Sequence, residues 1–117
     1  MKLFQSELKV MHVLWKEGDM TAKRISDLLK EQVGWNRNTT YTLIKRCIGK
    51  GAIERREPNF LCHALIPKEE VQEQELAEMI DRMFDGSVPL LFASLLHHKR
   101  LNQDEIEQLK QIVEELE

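Results

Sequence analysis

The fold is decided by residues 21–67, which read TAKRISDLLKEQVGWNRNTTYTLIKRCIGKGAIERREPNFLCHALIP. Apolar residues recur at helical spacing on both sides of Gly34, which predicts two helices joined by a turn. Two short alternating runs then flank Pro58 and Asn59, a pair typical of turns, and predict a β-hairpin. Helix, turn, helix and hairpin in this order are typical of a winged helix-turn-helix domain. We therefore expect a mainly α fold with a small β-hairpin.

The amino ends of the first and third helices carry residues that favour helix capping. Apolar residues recur at helical spacing from Leu8 to Trp15, and Ser6 is expected to cap the helix that they form. The third helix follows Trp35, and either Asn36 or Asn38 can cap it. Its apolar residues between Leu43 and Ile48 predict the buried side, so its polar residues are expected to face solvent.

The polar side of the third helix has the composition of a DNA-reading surface. No acidic residue lies between Trp35 and Gly51. Short polar side chains near the amino end suit base edges, and longer basic ones suit phosphates. The base-edge candidates are Asn38, Thr39 and Thr42. The phosphate candidates are Arg37, Lys45, Arg46 and Lys50, although Arg46 could instead reach a guanine edge.

Residues of the helix and of the hairpin together form the predicted DNA-binding site. The expected contacts are Asn38, Thr39, Tyr41, Thr42, Lys45 and Arg46 on the helix, and Arg55, Arg56 and Asn59 on the hairpin. Trp35 could contact the DNA backbone, but a wedge between the second and third helices is favoured. Two alternatives remain: a solvated polar face on an ordinary core helix, and a winged-helix protein–protein interaction module that binds no DNA.

Three further helices are predicted after the hairpin, over residues 68–84, over residues 88–97, and after Asn102. Their apolar residues are too many for short surface helices, so a second copy of the chain is the simplest cover, and folding back on the chain's own domain is the alternative. We divide the chain into a winged-helix DNA-binding domain, residues 1–67, and a helical dimerisation region, residues 68–117. The expected dimer interface comprises Leu90, Leu91, Leu95, Leu101, Ile106, Leu109, Ile112, Val113 and Leu116.

The charge distribution agrees with two surfaces of different roles. Residues 1–66 hold 12 Lys and Arg against 7 Asp and Glu, whereas residues 67–117 hold 5 against 13. DNA responds to the charge nearest its phosphates, so the acidic second part is compatible with DNA binding by the first. Such asymmetry also arises by chance, and it supports the prediction only together with the helix pattern.

Several other functions find no support in the sequence. Cys47 and Cys62 lie in no metal-binding or redox spacing and are expected to be buried, and the histidines have no ligand partners at suitable spacing. No cofactor or metal is therefore predicted. The absence of a phosphate-binding loop, of paired carboxylates and of an activated nucleophile argues against an enzyme. No apolar run approaches the roughly 20 residues of a membrane helix, and no signal peptide is evident, so a cytoplasmic location is expected.

The chain resembles the penicillinase-repressor family of bacterial winged-helix regulators. The resemblance covers nearly all of the sequence and rests on Ser6-Glu7, Val10-Met11, Leu14-Trp15, Trp35-x-x-x-Thr39-x-x-Thr42-Leu43-Ile44-x-Arg46, Lys50-Gly51, Phe84-Asp85-Gly86-Ser87 and Leu101-x-x-Asp104-Glu105-Ile106-x-x-Leu109. It implies a homodimer that blocks transcription from a dyad-symmetric operator. It also implies a membrane sensor that triggers proteolysis in the short helix of the tail; the bond that matches the family's Asn-Phe cleavage site is Ser94–Leu95.

Overall fold

The structure is a computed structural model that describes residues 1–98 and 100–116. The helices are α1 (Gln5–Glu17), α2 (Ala22–Val33), α3 (Arg37–Gly49), α4 (Lys68–Met83), α5 (Val88–His97) and α6 (Gln103–Leu116), and the strands are β1 (Met20–Thr21), β2 (Ile53–Arg56) and β3 (Leu61–Ala64). The predicted mainly α fold with a winged helix-turn-helix is confirmed. The chain divides into two compact units, of which the first is Met1–Gln72 and the second begins at Glu73.

The first unit packs α1, α2 and α3 around one hydrophobic core. Gly34 has a left-handed backbone (φ 75°) and ends α2, a conformation that glycine adopts without the steric cost of a side chain. The core side chains are Leu3, Val10, Met11, Val13, Leu14, Ala22, Ile25, Leu29, Leu43, Ile44, Cys47, Ala52, Ile53, Cys62 and Val71. Helix α4 therefore begins within the first unit, because Val71 is buried there, whereas the predicted domain boundary precedes Lys68.

Three antiparallel strands in the order β1-β3-β2 form the sheet. Met20 pairs with Cys62, and Ile53 pairs with Ala64, so β1 adds a third strand to the predicted hairpin. The strands β2 and β3 and the turn between them form the wing, and Asn59 (φ 69°) and Phe60 (φ 53°) reverse the chain in that turn with left-handed backbones. The short β1 precedes α2 directly, which ties the wing to the helix-turn-helix.

Both cysteines are free and buried, as the sequence predicts. Burial raises the pKa of Cys47 to about 12 and that of Cys62 to about 11. The thiols therefore stay protonated at neutral pH and behave as small apolar side chains.

The predicted cap of α1 is wrong. The helix begins one residue before Ser6, with Phe4 at the N-cap position. The backbone N–H of Phe4 donates to Glu7 Oε1 at 2.7 Å, so a side chain inside the first turn satisfies the helix end. Ser6 is consequently left half-exposed and free for another role.

The second unit contains the rest of α4 together with α5 and α6. Ser87 caps α5, because its Oγ accepts a hydrogen bond from the N–H of Leu90 at 3.2 Å. Asn102 and Glu105 cap α6 reciprocally, each side chain accepting from the other residue's N–H at 2.8 and 3.0 Å. This confirms the capping box that the sequence predicts.

Within residues 1–98 and 100–116, no helix combines the length and apolar character needed to cross a bilayer. In the same residues, no three His, Cys, Asp or Glu side chains come together where they could bind a metal ion.

Candidate nucleic-acid interface

The amino end of α3 is fixed by Asn36, which settles the choice between the two candidate caps. Its Oδ1 accepts a hydrogen bond from the N–H of Thr39 at 2.8 Å. Asn38 is thereby left as a free, exposed side chain on the first turn. The positive end of the helix dipole also lies here, with no acidic residue in the first turn to oppose it.

The two sides of α3 differ sharply in polarity. Leu43, Ile44 and Cys47 face the core. The opposite side exposes Asn38, Thr42, Lys45 and Arg46 to solvent, whereas Thr39 and Tyr41 are half-buried at its two margins. The structure therefore places all six helical residues of the predicted site on or beside one solvent-accessible face.

One margin of this face is a shallow depression shared with α1. Ser6 of α1 lines it together with Trp35, Thr39, Thr42 and Arg46. Trp35 is half-buried and packs against the core, which agrees with the favoured role as a wedge. Ser6 was not predicted to belong to the site, because its sequence position suggested a helix cap.

Lys50, a predicted phosphate contact, forms an ion pair within the domain. Its Nζ lies 2.6 Å from Glu7 Oε1 and 2.6 Å from the carbonyl oxygen of Lys2, and 4.1 Å from the centroid of the Phe4 ring. These three contacts use the ammonium group to join the end of α3 to the start of α1. Lys50 therefore stabilises the domain that presents the site, and its ammonium group is already engaged within the protein.

Glu7 is the acidic partner of this pair, and its side chain is only 1% exposed. Burial alone raises the pKa of Glu7, but the hydrogen bonds from Lys50 and from the Phe4 N–H, with the charges of Lys50 and Arg46, bring it below the ordinary 4.5. The Glu7 carboxylate is thus charged at neutral pH, and Lys50 stabilises this charged form.

The arginines of the wing are paired with acidic side chains from the wing itself. Arg55 Nε lies 2.6 Å from Glu57 Oε1, and Arg56 Nε lies 3.1 Å from Glu54 Oε1. Both pairs are exposed. Since two glutamates accompany two arginines, the wing presents less positive charge to a phosphate than its arginines alone suggest. Asn59 at the turn is exposed and makes no side-chain hydrogen bond among the contacts found in the described residues.

The second unit exposes an apolar groove between α5 and α6. Phe92, Leu96, Leu101, Ile106, Leu109 and Val113 line this tail groove, and Lys110 and Glu114 lie at its rim. None of the residues of α5 or α6 is buried in the described chain. The tail groove is therefore an apolar surface that the single chain leaves open to water.

Four of the nine predicted interface residues line the tail groove: Leu101, Ile106, Leu109 and Val113. Leu90, Ile112, Val113 and Leu116 are exposed, and Val113 and Leu116 leave 57% and 82% of their area accessible. The remaining members are half-buried within the unit: Leu91, Leu95, Leu101, Ile106 and Leu109. Phe92 and Leu96 also line the tail groove, although neither is among the predicted residues.

The sequence model of the penicillinase repressor family matches residues 3–115. This chain belongs to the penicillinase repressor family. The match spans both units, so the helical tail is part of what the family shares.

Curated relatives and one solved structure agree with this membership. The methicillin resistance regulatory protein MecI of Staphylococcus aureus (strain N315) is 27% identical over 114 residues, which cover 96% of this chain and 93% of that protein. The penicillinase repressor of Bacillus licheniformis is 26% identical over 116 residues, covering 97% and 91%. The solution structure of the DNA-binding domain of the repressor BlaI has a TM-score of 0.55 and 25% identity, covering 59% of this chain and 87% of that domain.

The charge pairing in the wing leads to a prediction for this member of the penicillinase repressor family. Glu57→Gln removes the anion that holds Arg55 and keeps an acceptor for the N–H of Phe60. We expect affinity for duplex DNA to rise about two- to fivefold, which corresponds to the roughly 0.5–1 kcal/mol of an exposed ion pair. The slope of log affinity against log salt should become more negative by about one, which corresponds to one additional phosphate contact.

Fluorescence anisotropy across a salt series measures both quantities. Glu31→Gln is the matched control, since it removes the same charge from an exposed position on α2. An equal gain in both variants would show that only net charge matters, and no gain in Glu57→Gln would show that Arg55 does not approach DNA.

Proposed function

We propose that this protein is a transcriptional repressor that binds a dyad-symmetric operator as a homodimer. The observation that carries the proposal is the exposed, acid-free face of α3 on a winged helix-turn-helix fold. Membership of a repressor family and the similarity to the BlaI DNA-binding domain support the same function. A DNA target in turn places the protein in the cytoplasm.

The residues on α3 divide into two roles in this proposal. Asn38 and Thr42 are exposed on the first two turns, where short polar side chains can reach base edges in the major groove. Lys45 and Arg46 lie one turn further along and are exposed, so their longer side chains suit phosphates. Thr39 and Tyr41 contact DNA from the margins of the face.

The dimer is supported by the open tail groove of the second unit. Apolar area exposed to water favours association, by about 25 cal/mol for each Å² that becomes covered. The same residues on a second copy provide a surface of matching character, and a twofold arrangement gives two copies of α3 for two half-sites.

Arg46 provides the direct test of the α3 face. Its side chain is exposed, and it lines the same depression as Ser6 and Thr42. We expect Arg46→Ala to cost about 1–3 kcal/mol of operator binding, the usual loss for an arginine contact. Electrophoretic mobility shift or anisotropy with DNA upstream of the protein's own gene measures this loss.

Lys16→Ala is a suitable control, because it removes a cation from the exposed carboxyl end of α1. Unchanged operator affinity in Arg46→Ala would remove Arg46 from the contact set. If a pull-down recovers a protein partner and no DNA is shifted, the alternative of a winged-helix protein–protein interaction module would be favoured.

Release from DNA could proceed by cleavage of the tail, with a membrane sensor and a protease as partners. Ser94 and Leu95 lie inside α5 and are half-buried within the second unit. A single cut there would separate every lining residue of the tail groove except Phe92 from the DNA-binding domain and abolish the avidity of two linked sites. Mass spectrometry of protein from induced cells should then show a fragment of residues 1–94, and an intact chain after induction would contradict this mechanism.

A further inference from the structure

A continuous series of stacked side chains joins α3 to the wing. The guanidinium carbon of Arg37 lies 5.0 Å from the centroid of the Tyr41 ring. The Tyr41 ring meets the Phe60 ring edge to face, at 5.9 Å between centroids and 81° between planes. The guanidinium carbon of Arg55 lies 3.7 Å from the centroid of Phe60. All three distances are in the range of attractive cation–π and aromatic contacts.

Both backbone polar groups of Phe60 form hydrogen bonds that fix it within the fold. Its carbonyl oxygen accepts a hydrogen bond from the N–H of Ala22 at 3.0 Å, which fixes it to the start of α2. Its N–H donates to Glu57 Oε2 at 3.4 Å, the same carboxylate whose other oxygen holds Arg55. The ring is therefore attached to the helix-turn-helix by its backbone and to the wing by its neighbours.

The backbone of Phe60 is left-handed, with φ at 53°. A bulky residue is disfavoured in this region, whereas glycine or asparagine adopts it at lower cost. Asn59 precedes it in the same conformation. Asparagine suits this left-handed backbone, whereas phenylalanine does not. Unfavourable backbone conformations persist where a side chain is needed for another reason. The contacts of the ring with Tyr41 and Arg55 supply that reason.

We infer that Phe60 is a positioning residue which holds Arg55 of the wing and, through Tyr41, Arg37 of α3 in one fixed arrangement, so that the wing and the helix engage DNA as a single unit. This inference rests on the proposed function. The two arginines are outermost in the series and exposed, so both can meet phosphates while their planes remain stacked. The fixed distance between the two arginines then suits one spacing of phosphates on the duplex, and DNA with a different phosphate spacing binds more weakly.

A double-mutant cycle on operator DNA tests the inference, because coupled residues give non-additive losses. The probe is the duplex that the wild-type protein selects from a random pool. We expect Phe60→Leu and Arg55→Ala each to lower affinity about tenfold, and the double variant also about tenfold and not a hundredfold. The cycle of Phe60→Leu with Arg37→Ala should be non-additive as well, since Tyr41 connects them.

Two controls separate positioning from simple core filling. Phe60→Tyr keeps the ring and should retain affinity within about twofold, and the cycle of Phe60→Leu with Arg46→Ala should be additive within about twofold. Additive losses in the Arg55 and Arg37 cycles would overturn the inference. Circular dichroism checks the folding of each variant. If Phe60→Leu does not fold, the cycle of Tyr41→Leu with Arg55→Ala replaces it, with non-additivity in support and additivity against.

The outcomes also distinguish this inference from the function on which it rests. A wild-type protein that selects no sequence would overturn both. Specific binding by the wild type together with additive cycles would overturn the positioning role of Phe60 alone.

Discussion

Lys50→Met is expected to lower the free energy of unfolding by about 3 kcal/mol. Removing one partner of a buried ion pair costs about 3–5 kcal/mol, because the other charge is left buried without compensation. The lower end applies here, since Lys50 retains 27% exposure while Glu7 retains 1%. Chemical denaturation monitored by circular dichroism measures the change.

The effect should depend on pH in a defined direction. The pKa of Glu7 is lowered in the folded protein, so its stabilising contribution is fully present above its unfolded pKa, near 4.5, and is lost as pH falls through the lower folded value. In Lys50→Met the carboxyl loses its partner, and protonation relieves the uncompensated charge. The difference in stability between the wild type and Lys50→Met should therefore shrink as the solution is acidified.

Two variants complete this experiment. Lys45→Met changes an exposed lysine on the same helix and should leave stability nearly unchanged while weakening DNA binding. Replacing both Glu7 and Lys50 by methionine should recover much of the loss, since an apolar pair leaves no buried charge. A loss in Lys50→Met no larger than that in Lys45→Met would contradict the role that the structure gives to this pair.

Val113→Glu is expected to convert the protein from a dimer to a monomer and to weaken operator binding about a hundredfold or more, the usual advantage of two linked sites. Val113 lines the tail groove, and 57% of its area is exposed in the single chain. The substitution therefore removes little packing within the protomer, but in the proposed dimer it would bury charge on both copies. Sedimentation equilibrium gives the mass, and anisotropy gives the affinity.

Gln111→Glu is the matched control, because it adds the same charge to an exposed position of α6 that does not line the tail groove. It should remain dimeric. A wild-type protein that is monomeric at micromolar concentration, or a Val113→Glu protein that stays dimeric, would contradict the proposed interface.

Much of the fold could be predicted because its signals are local. The recurrence of apolar residues placed α2, α3 and α5 within a few residues of their observed bounds. The capping box of Asn102 and Glu105 spans three residues, and it forms as predicted. For α3 the sequence offered two asparagines, and only the backbone conformation shows that Asn36 is the cap.

The Glu7–Lys50 pair could not be predicted, because 43 residues separate its members and no periodicity connects them. Lys50 follows directly from the basic face of α3, so its charge alone suggested a phosphate contact. The same glutamate explains the mistaken cap at Ser6. Since Glu7 turns back to the N–H of Phe4, the helix begins earlier than a serine cap would allow.

The ion pairs of the wing, in contrast, had a signal in the sequence. Residues two apart on a strand share one face, so Glu54 lies beside Arg56 on β2, and Arg55 pairs with Glu57, the first residue after the strand. The predicted site took in the two arginines without the glutamates that this spacing places beside them. The edge-to-face contact between Phe60 and Tyr41 had no such signal in the sequence. It depends on the left-handed turn that brings the Phe60 ring next to α3.

The central claim is that α3 reads a specific DNA sequence, and selection of bound duplexes from a random pool tests it most directly. We expect the full chain to enrich a site with two related half-sites in inverted orientation, and its affinity for that site to fall steeply as salt increases. Enrichment of no sequence, or binding that is insensitive to salt, would contradict the account.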